Sequence, residues 1–189
     1  MLGVAEREAM AALWTRKLAQ DAAGLPQAAR HRNLEPESAE VIHALAVGLG
    51  ARRLLEVGGS SGLSTVALAA AARATGGLLT SIEIEPVRQA ESRARVDALG
   101  LSAFVRFILA DAADVLPGLG PMEFVLLDCE KDDYIRFFDL LERPAGALVV
   151  ADNILSHHLG EYVRHVRRVA PSMTLAIGKG LELTGGVSQ

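Results

Sequence analysis

The sequence has little of several features that mark specialised classes of protein. A single cysteine, Cys129, among 189 residues excludes an internal disulfide framework and a cluster of metal-binding thiolates. The formal net charge is −4 and the basic residues are scattered, so no basic face for nucleic acid is expected. No apolar stretch is long enough to span a bilayer, and the charged residues near the start are unlike a signal peptide. We therefore expect a cytoplasmic protein that binds neither nucleic acid nor membrane.

What the chain does have is the composition of a globular domain. Half of its residues are hydrophobic and 22% are charged, and its length suffices for one domain with a complete core. No internal repeat or linker interrupts it. We expect a single domain over residues 1–189, with a helical cap in residues 1–50 and a core in residues 51–189. The apolar first helix, with Met10, Leu13 and Trp14, favours a homodimer.

Short apolar runs alternate with segments of helical periodicity from Arg53 onwards. The predicted helices cover 4–23, 37–49, 63–72, 87–98, 112–116, 134–141 and 159–169, and the predicted strands cover 53–57, 78–84, 104–109, 124–127, 147–151, 173–177 and 181–184. The last two strands flank Gly178-Lys179-Gly180, which is typical of a hairpin. This pattern predicts an α/β fold: a Rossmann-like, doubly wound, mostly parallel seven-stranded sheet, with an antiparallel edge hairpin and helices on both faces.

The most informative segment is Leu54–Ser64, in which a buried strand leads through a glycine-rich turn into a helix. Glu83 lies 21 residues after Gly62, at the end of the next apolar run. Glycines let the backbone approach a ligand closely, and an acid at this spacing accepts hydrogen bonds from ribose hydroxyls. Glu56, just inside the strand end, is placed to accept hydrogen bonds from an ammonium group or from the turn amides. The segment predicts an adenosine-type cofactor.

Two other interpretations of the same turn are weaker. A dinucleotide site, as in a nicotinamide oxidoreductase, expects a glycine where Ser60 stands and a different position for the third glycine. The turn also matches the Gly-x-Ser-x-Gly pattern of hydrolases, with Ser60 as nucleophile and His157 or His158 as base. No earlier strand-loop would supply the second oxyanion donor, however, and Glu83 would have no role.

Polar residues follow each of the first five predicted strands, where ligands bind in such sheets. Asp111 and Ala112 follow the third strand and are placed at an adenine edge, although an aspartate there also suits a helix N-cap. His31 lies in the irregular segment before the second helix, where it could flank the pocket. Of His157 and His158 we expect one to be exposed in a loop, and the other stays open between such a loop and the acceptor pocket.

Asp128, Asp152 and Asn153 follow two neighbouring, very apolar strands. Two carboxylates and an amide oxygen form the hard-oxygen ligand set that Mg²⁺ prefers, although helix and turn capping would account for them equally well. Lys131, three positions after Asp128, points either into the same pocket, where it would act as a base, or into solvent.

Together these residues resemble the cation-dependent, S-adenosylmethionine-dependent O-methyltransferases of the catechol and caffeoyl-coenzyme A type, over roughly residues 34–184. The family's Leu-Glu-hydrophobic-Gly and Gly-x-Ser motifs are similar to Leu55–Gly58 and Gly62–Ser64, and its Ile-Glu-Ile to Ile82–Ile84. The resemblance implies cofactor contacts at Leu34, Glu56, Gly58, Gly62, Ser64, Glu83, Ile84, Asp111, Ala112 and Asp128, metal ligation by Asp128, Asp152 and Asn153, and a catalytic base at Lys131.

The implied reaction is transfer of a methyl group from S-adenosylmethionine to a hydroxyl of a small aromatic acceptor, assisted by Mg²⁺. The chain departs from the family in a short segment after Asn153 and in having no clear match for the late glutamate of catechol enzymes, for which Glu182 is a poor candidate. Two alternatives therefore stay open: a metal-independent methyltransferase of the same fold, and an S-adenosylmethionine-binding protein without catalysis.

Overall fold

The sheet is built as the alternation of strands and helices predicts. The computed structural model describes residues 2–26 and 29–186, and its strands are β1 Arg53–Val57, β2 Leu78–Glu83, β3 Val105–Leu109, β4 Phe124–Leu127, β5 Leu148–Ala151, β6 Ser172–Leu175 and β7 Leu181–Gly185. They form one seven-stranded sheet in the order β3-β2-β1-β4-β5-β7-β6. β1 to β5 are parallel, and β7 lies antiparallel between β5 and β6. The predicted sheet, with its antiparallel edge hairpin, is confirmed.

The helices agree with the prediction to within three residues at each end. They are α1 Val4–Ala22, α2 Pro36–Gly48, α3 Leu63–Thr75, α4 Pro86–Ala98, α5 Ala112–Val115, α6 Tyr134–Leu140 and α7 Gly160–Val169. The largest difference is at the end of α3, which runs past Ala72 to Thr75. Gly76 then ends it in the left-handed conformation, with φ of 68°, which glycine adopts without steric cost.

β1 shows how the sheet divides the apolar residues between two faces. Successive strand residues point to opposite faces, so Leu54 packs with α1, α2 and α3, whereas Leu55 and Val57 pack with α6 and α7. All three side chains are almost completely buried. Helices therefore cover both faces of the sheet, as predicted.

The long buried stretch of α3 fixes the position of the glycine-rich turn. All residues of Leu63–Ala72 are buried, and α2 packs along the helix. A helix that is apolar on every side is stable only inside a core. Because the helix is clamped between the sheet and α2, the turn that precedes it has little freedom to move.

The first helix belongs to the same core. Met10 and Leu13 are at most 2% exposed and pack against the cluster that contains α3. These residues supported the predicted homodimer, but they face this chain's own interior and offer no surface to a second copy. In the part of the chain that is described, no helix is both long and apolar enough to cross a membrane.

The order of the strands reverses beside β1. β2 and β3 lie on one side of β1, and β4 and β5 lie on the other. The connections after β1 and β4 therefore leave the sheet toward opposite faces, and a crevice opens between them at the carboxyl ends of the strands. The glycine-rich turn and Asp128 meet in this crevice.

Candidate active site

Two adjacent cavities open at the carboxyl ends of the strands. The first cavity is lined by Arg32, Val57, Gly58, Ser60, Ile82, Glu83, Ile84, Arg88, Ala110, Asp111, Ala112, Asp128, Cys129, Glu130, Asp133 and Phe137. The second cavity is lined by Lys17, Asp21, Arg30, His31, Arg32, Asn33, Asp128, Lys131, Asn153, His157 and Lys179. They share Arg32 and Asp128, so a ligand in one cavity lies beside a ligand in the other.

Two backbone features of the glycine-rich turn require the residues that are present. Gly58 has a φ of 95°, and a Cβ there would be closer to the carbonyl oxygen of Asp128 than van der Waals contact allows. Gly62 has a φ of 103°, and a Cβ there would lie 2.7 Å from Ser92 Oγ. Glycine is the residue that tolerates both the left-handed backbone and such a close approach. The turn can therefore pass directly over the end of β4.

Glu83 holds the turn in place from the next strand. Its Oε2 accepts a hydrogen bond from the backbone N–H of Ser60 at 2.8 Å, where Ser60 has a positive φ of 45°. Its Oε1 accepts from the N–H groups of Ile84 and Glu85, each at 2.9 Å. Oε2 therefore keeps a lone pair for a ligand hydroxyl, whereas the two backbone groups occupy both lone pairs of Oε1. Glu83 lines the first cavity, in the place predicted for a ribose-binding acid.

Glu56 lies beneath the turn and outside the lining of either cavity. It is completely buried, and its Oε2 accepts from Thr65 Oγ1 at 2.7 Å and from Ser81 Oγ at 2.6 Å. Its Oε1 is buried without a hydrogen-bond partner among the described residues. Burial raises the pKa of this carboxyl, while the neighbouring hydroxyls oppose the shift. A buried acceptor without a protein partner is open to a donor from a ligand.

The other predicted cofactor residues divide into two groups. Ile84, Asp111 and Ala112 line the first cavity, and Asp111 also caps α5, accepting from the N–H of Ala113 at 2.9 Å. The N-cap interpretation of Asp111 is therefore confirmed, and its contact with an adenine stays a prediction. Leu34 and Ser64, like Gly62, line neither cavity, and Leu34 is buried in the core around α3. Their contacts with a cofactor remain predictions.

Several residues of the first cavity were missed in the sequence. The strand-end rule covers Cys129 and Glu130, which directly follow Asp128, but the sequence assigned neither of them a role. Burial raises the pKa of the Cys129 thiol, which therefore lines the cavity in its neutral form. Arg32 and Arg88 reach the cavity from the segment before α2 and from the first turn of α4. Neither arginine carries a local sequence signal for this position.

Asp128, Asp152 and Asn153 meet as predicted. Asn153 Nδ2 donates to Asp128 Oδ1 at 3.0 Å and to Asp152 Oδ2 at 2.6 Å. Asn153 has a φ of 66°, an unfavourable conformation for a residue other than glycine. Asp152 is buried, and its Oδ1 has no hydrogen-bond partner among the described residues. The fold thus holds the carboxylates of Asp128 and Asp152 around the side-chain amide of Asn153.

The electrostatics of this cluster are unfavourable for two negative charges. Burial and the charge of Asp128 together raise the pKa of Asp152 to about 8. Burial also raises the pKa of Asp128, although Lys131 opposes that shift. A positive charge at the point where the carboxylates converge would remove the repulsion.

The donor set fits a hard divalent cation. The described residues contain no group of three or more His, Cys, Asp and Glu side chains suited to a metal, and this cluster has two carboxylates and one carboxamide. Asn153 now directs its N–H donors at the carboxylates, and turning the amide over would present its oxygen instead. The cluster would then offer three oxygens, one of them an unpartnered Asp152 oxygen, as Mg²⁺ prefers.

Lys131 points into the second cavity rather than into solvent. Its Nζ donates to Asp128 Oδ1 at 3.1 Å and to Tyr134 Oη at 2.7 Å. The Tyr134 hydroxyl in turn donates to the backbone carbonyl of Asp152 at 3.3 Å. Tyr134 is completely buried and therefore fixes the Lys131 amine relative to both carboxylates. Its role was missed, although its position three residues after Lys131, at the start of α6, could have indicated it.

Of the three histidines considered in the sequence, two line the second cavity and one does not. His31 lines the second cavity, and its Nε2 lies 3.0 Å from Glu91. His157 also lines it, and burial together with the charges of Lys131, Lys179 and Arg32 lowers its pKa. His158 is exposed and outside both cavities.

The hydrolase interpretation finds no triad in the described structure. Ser60 Oγ accepts from the backbone N–H of Arg32 at 3.3 Å. His157 Nδ1 instead lies 2.9 Å from Ser156 Oγ. No histidine among the described residues is hydrogen-bonded to Ser60, so the serine is not activated as a nucleophile.

Comparison with known proteins agrees with this geometry. Residues 55–154 match a family described as a methyltransferase domain. The chain is 32% identical over 163 residues to a catechol O-methyltransferase of Niastella koreensis, which covers 82% of this chain and 69% of that protein. It is 32% identical over 141 residues to a catechol O-methyltransferase of Mycobacterium tuberculosis, which covers 72% of this chain and 62% of that protein.

Solved structures agree as well. The O-methyltransferase TomG from Streptomyces achromogenes, in complex with S-adenosylmethionine, has a TM-score of 0.74 and 26% identity, covering 94% of this chain and 90% of that one. The methyltransferase PaMTH1 of Podospora anserina shares the fold, with a TM-score of 0.79 and 19% identity over 99% and 89% of the two chains. The resemblance seen in the sequence is confirmed, and the chain belongs to the S-adenosylmethionine-dependent O-methyltransferases of the catechol and caffeoyl-coenzyme A type.

Proposed function

We propose that this chain transfers a methyl group from S-adenosylmethionine to a hydroxyl of a small aromatic acceptor, with the assistance of Mg²⁺. The observation that carries the proposal is the position of Asp128, which lines both cavities and belongs to the acid-amide cluster. A cofactor in the first cavity and an acceptor in the second would therefore meet at the cluster.

The first cavity suits S-adenosylmethionine, which supplies a methyl group already activated by its sulfonium. Glu83 would accept hydrogen bonds from the ribose hydroxyls, and Asp111 with the Ala112 amide would border the adenine. Glu56, buried beneath the turn, would support the cofactor site indirectly by holding the hydroxyls of Thr65 and Ser81. The turn at Gly58 leaves room for these groups because no side chain projects from it.

The second cavity would hold the acceptor. Asp128, Asp152 and Asn153 would bind the divalent cation, which when bound supplies Lewis acidity that lowers the pKa of the acceptor hydroxyl. Lys131 would accept the hydroxyl proton at Nζ, and Tyr134 would position that amine. Holding cofactor and acceptor side by side contributes much of the rate enhancement. Asp128, which lines both cavities, would take part both in binding the cofactor and in binding the cation at the acceptor.

The experiment that tests the proposal combines binding with turnover. S-adenosylhomocysteine is titrated calorimetrically into the chain, with and without Mg²⁺, and hydroxylated aromatic compounds are then screened for methylation with and without EDTA. We expect micromolar cofactor binding and turnover that EDTA abolishes. Turnover that resists EDTA would favour the metal-independent methyltransferase, and cofactor binding without any turnover would favour the non-catalytic protein. Absence of cofactor binding would overturn the proposal.

Two further predictions from the sequence belong to this proposal. A homodimer is tested by light scattering of the purified chain, where the mass of one chain would contradict it. A cytoplasmic location is tested by fractionating cells that express a tagged chain. Met10 and Leu13, two of the three residues from which the homodimer was predicted, are buried within the chain and give that prediction no support.

A further inference from the structure

The second cavity has an unusual wall for a site that would hold an aromatic acceptor. Each of its described lining residues is charged or polar, and none has a hydrocarbon side chain such as that of leucine or phenylalanine. The first cavity, by contrast, is lined in part by Val57, Ile82 and Phe137. Ligand sites usually have mainly apolar walls with a few polar groups that fix orientation. The second cavity therefore selects its ligand chiefly by charge and hydrogen bonds.

All the lysines of the chain line this cavity. The 19 lysine and arginine residues include only three lysines, Lys17, Lys131 and Lys179, and all the others are arginines. They come from α1, from the turn after β4 and from the loop between β6 and β7. A lysine ammonium is a compact charge with three donors, which suits a small anion. Three segments far apart in the sequence thus each place a lysine ammonium on the wall of the second cavity.

The basic residues of the second cavity differ in whether each has a carboxylate partner of its own. Lys179 Nζ lies 2.9 Å from Glu35, and Arg32 pairs with Glu130, so each has its own carboxylate. Lys131 pairs with Asp128 and is used by the proposed mechanism.

Lys17 and Arg30, however, share one carboxylate. Lys17 Nζ lies 2.6 Å from Asp21 Oδ2, and Arg30 lies 3.1 Å from Asp21 Oδ1. This cluster of three residues carries one surplus positive charge on the cavity wall.

Lys17 is also held in position. Its side chain is only 15% exposed, and its ammonium lies 4.9 Å from the centre of the Trp14 ring. A pre-ordered, partly buried cation loses little conformational entropy when an anion binds, and charge-assisted hydrogen bonds are stronger than neutral ones. Lys17 and Arg30 retain donors beyond those that Asp21 accepts.

We propose that the acceptor is an anion: a small hydroxylated aromatic compound that carries one carboxylate, which Lys17 and Arg30 bind while a hydroxyl lies at Asp128 and Lys131. The single surplus charge of the Lys17–Asp21–Arg30 cluster matches one carboxylate. The absence of apolar wall disfavours a neutral hydrocarbon-rich acceptor. This inference rests on the proposed function, because it assigns the second cavity to the acceptor.

The test compares two probes of nearly equal shape, 3,4-dihydroxybenzoate and the neutral 3,4-dihydroxybenzamide. Their binding to the chain loaded with S-adenosylhomocysteine and Mg²⁺ is measured by calorimetry, and their methylation is measured with S-adenosylmethionine. We expect the benzoate to bind about tenfold more tightly and to have a correspondingly lower KM, because a tenfold ratio is the size of one moderate charge contact.

Two variants isolate the carboxylate contact. Lys17→Met should raise the dissociation constant and KM of the benzoate about tenfold, to values close to those of the benzamide, with kcat nearly unchanged. Arg7→Met is the matched control, because it removes one positive charge from the same helix at an exposed position roughly 15 Å away along the axis. It should leave both probes unaffected.

The outcomes separate the inference from the proposed function. Equal binding and turnover of the two probes in the wild-type chain would overturn the inference and leave the methyltransferase function standing. Methylation of neither probe, with benzoate binding that Lys17→Met weakens, would support the anion site and count against these acceptors. If the benzoate does not bind, or binds equally to wild type and Lys17→Met, the inference fails.

Discussion

The two cavities share Asp128 but are built by different means. The first cavity uses the ends of consecutive parallel strands and a glycine-rich turn, so most of its polar contacts involve the backbone. The second cavity is a set of side chains from α1, the segment before α2, the turn after β4 and the β6–β7 loop. On the proposed function, the comparison teaches that cofactor binding would depend on local chain geometry, whereas acceptor choice would depend on side chains that only the tertiary fold brings together.

The largest effect should follow from the residue that joins the cavities. Asp128→Asn removes a proposed metal ligand and a charged partner of Lys131, so kcat should fall about a thousandfold, while affinity for S-adenosylhomocysteine changes by about tenfold at most. Steady-state kinetics and calorimetry measure the two quantities. Asp132→Asn, at an exposed position nearby, is the control and should behave as wild type. Equal losses in kcat and affinity would contradict the assignment of cofactor binding to the first cavity and of the acceptor to the second.

Gly58→Ala should damage the backbone-built cavity. The added Cβ meets the Asp128 carbonyl in a left-handed conformation, so we expect a loss of about 3 kcal/mol in the free energy of unfolding and strongly weakened cofactor binding. Urea unfolding provides the measurement.

Gly100→Ala separates the two causes of this loss of stability, which are the strain of a left-handed backbone and the close approach of the added Cβ to the Asp128 carbonyl. Gly100 also has a positive φ, of 66°, but a Cβ there would meet nothing within 4 Å. The variant should lose only about 1 kcal/mol from backbone strain. Equal losses at both positions would show that the close approach to Asp128 has no energetic importance.

The acid-amide cluster should make stability depend on pH when no divalent cation is bound. The pKa of Asp152 is about 8 in the folded chain and should be about 4 in the unfolded chain. Between these values the folded state retains a proton that the unfolded state has released, so the free energy of unfolding should fall as pH rises. Urea unfolding in EDTA, from pH 5 to pH 8, measures the slope.

Asp152→Asn is the comparison that assigns this slope. The variant should lack the part of the fall that Asp152 causes, whereas Asp132→Asn should retain it. Mg²⁺ should restore the stability of the wild-type chain toward pH 8, because it binds the ionised carboxylates. A wild-type slope that Asp152→Asn leaves unchanged would show that Asp152 ionises normally.

The smallest effect concerns one hydroxyl. Tyr134→Phe removes the acceptor of the Lys131 amine, so we expect about 1 kcal/mol of lost stability and roughly tenfold lower kcat. Tyr162→Phe is a close control: its ring packs edge-to-face on Tyr134 at 5.4 Å, it is equally buried, and its hydroxyl has no hydrogen-bond partner among the described residues. That variant should keep both its stability and its turnover. Identical behaviour of the two variants would remove Tyr134 from the site.

The contrast between the cavities also explains what the sequence could predict. The sheet follows from short-range periodicity, and Glu83, Asp111 and Asp128 follow from their places at strand ends. Glu56 was placed at the correct strand end, but its depth beneath the turn depends on Thr65 and Ser81, which no local pattern indicates.

The second cavity could be predicted only in part. Lys131 and Asn153 were found because they stand near strand ends, whereas Lys17, Arg30 and Lys179 belong to segments with no spacing relation to one another. Their convergence is a property of the packed fold. Glu182 shows the opposite case: it was judged a poor ligand, and it is completely buried with its oxygens bound by Arg167, Ser172 and Thr174, away from both cavities.

The position of β7 between β5 and β6 has a consequence for folding during synthesis. β6 is made before β7, yet among the strands that the structure describes β7 is its only hydrogen-bonded neighbour. On a ribosome, β1 to β5 can pair as they emerge, but β6 must wait without a partner until β7 has been made. Until then the edge of β5 is open, and an open edge can pair with another nascent chain. The last-made strand in the sheet is thus the one that covers the open edge of β5.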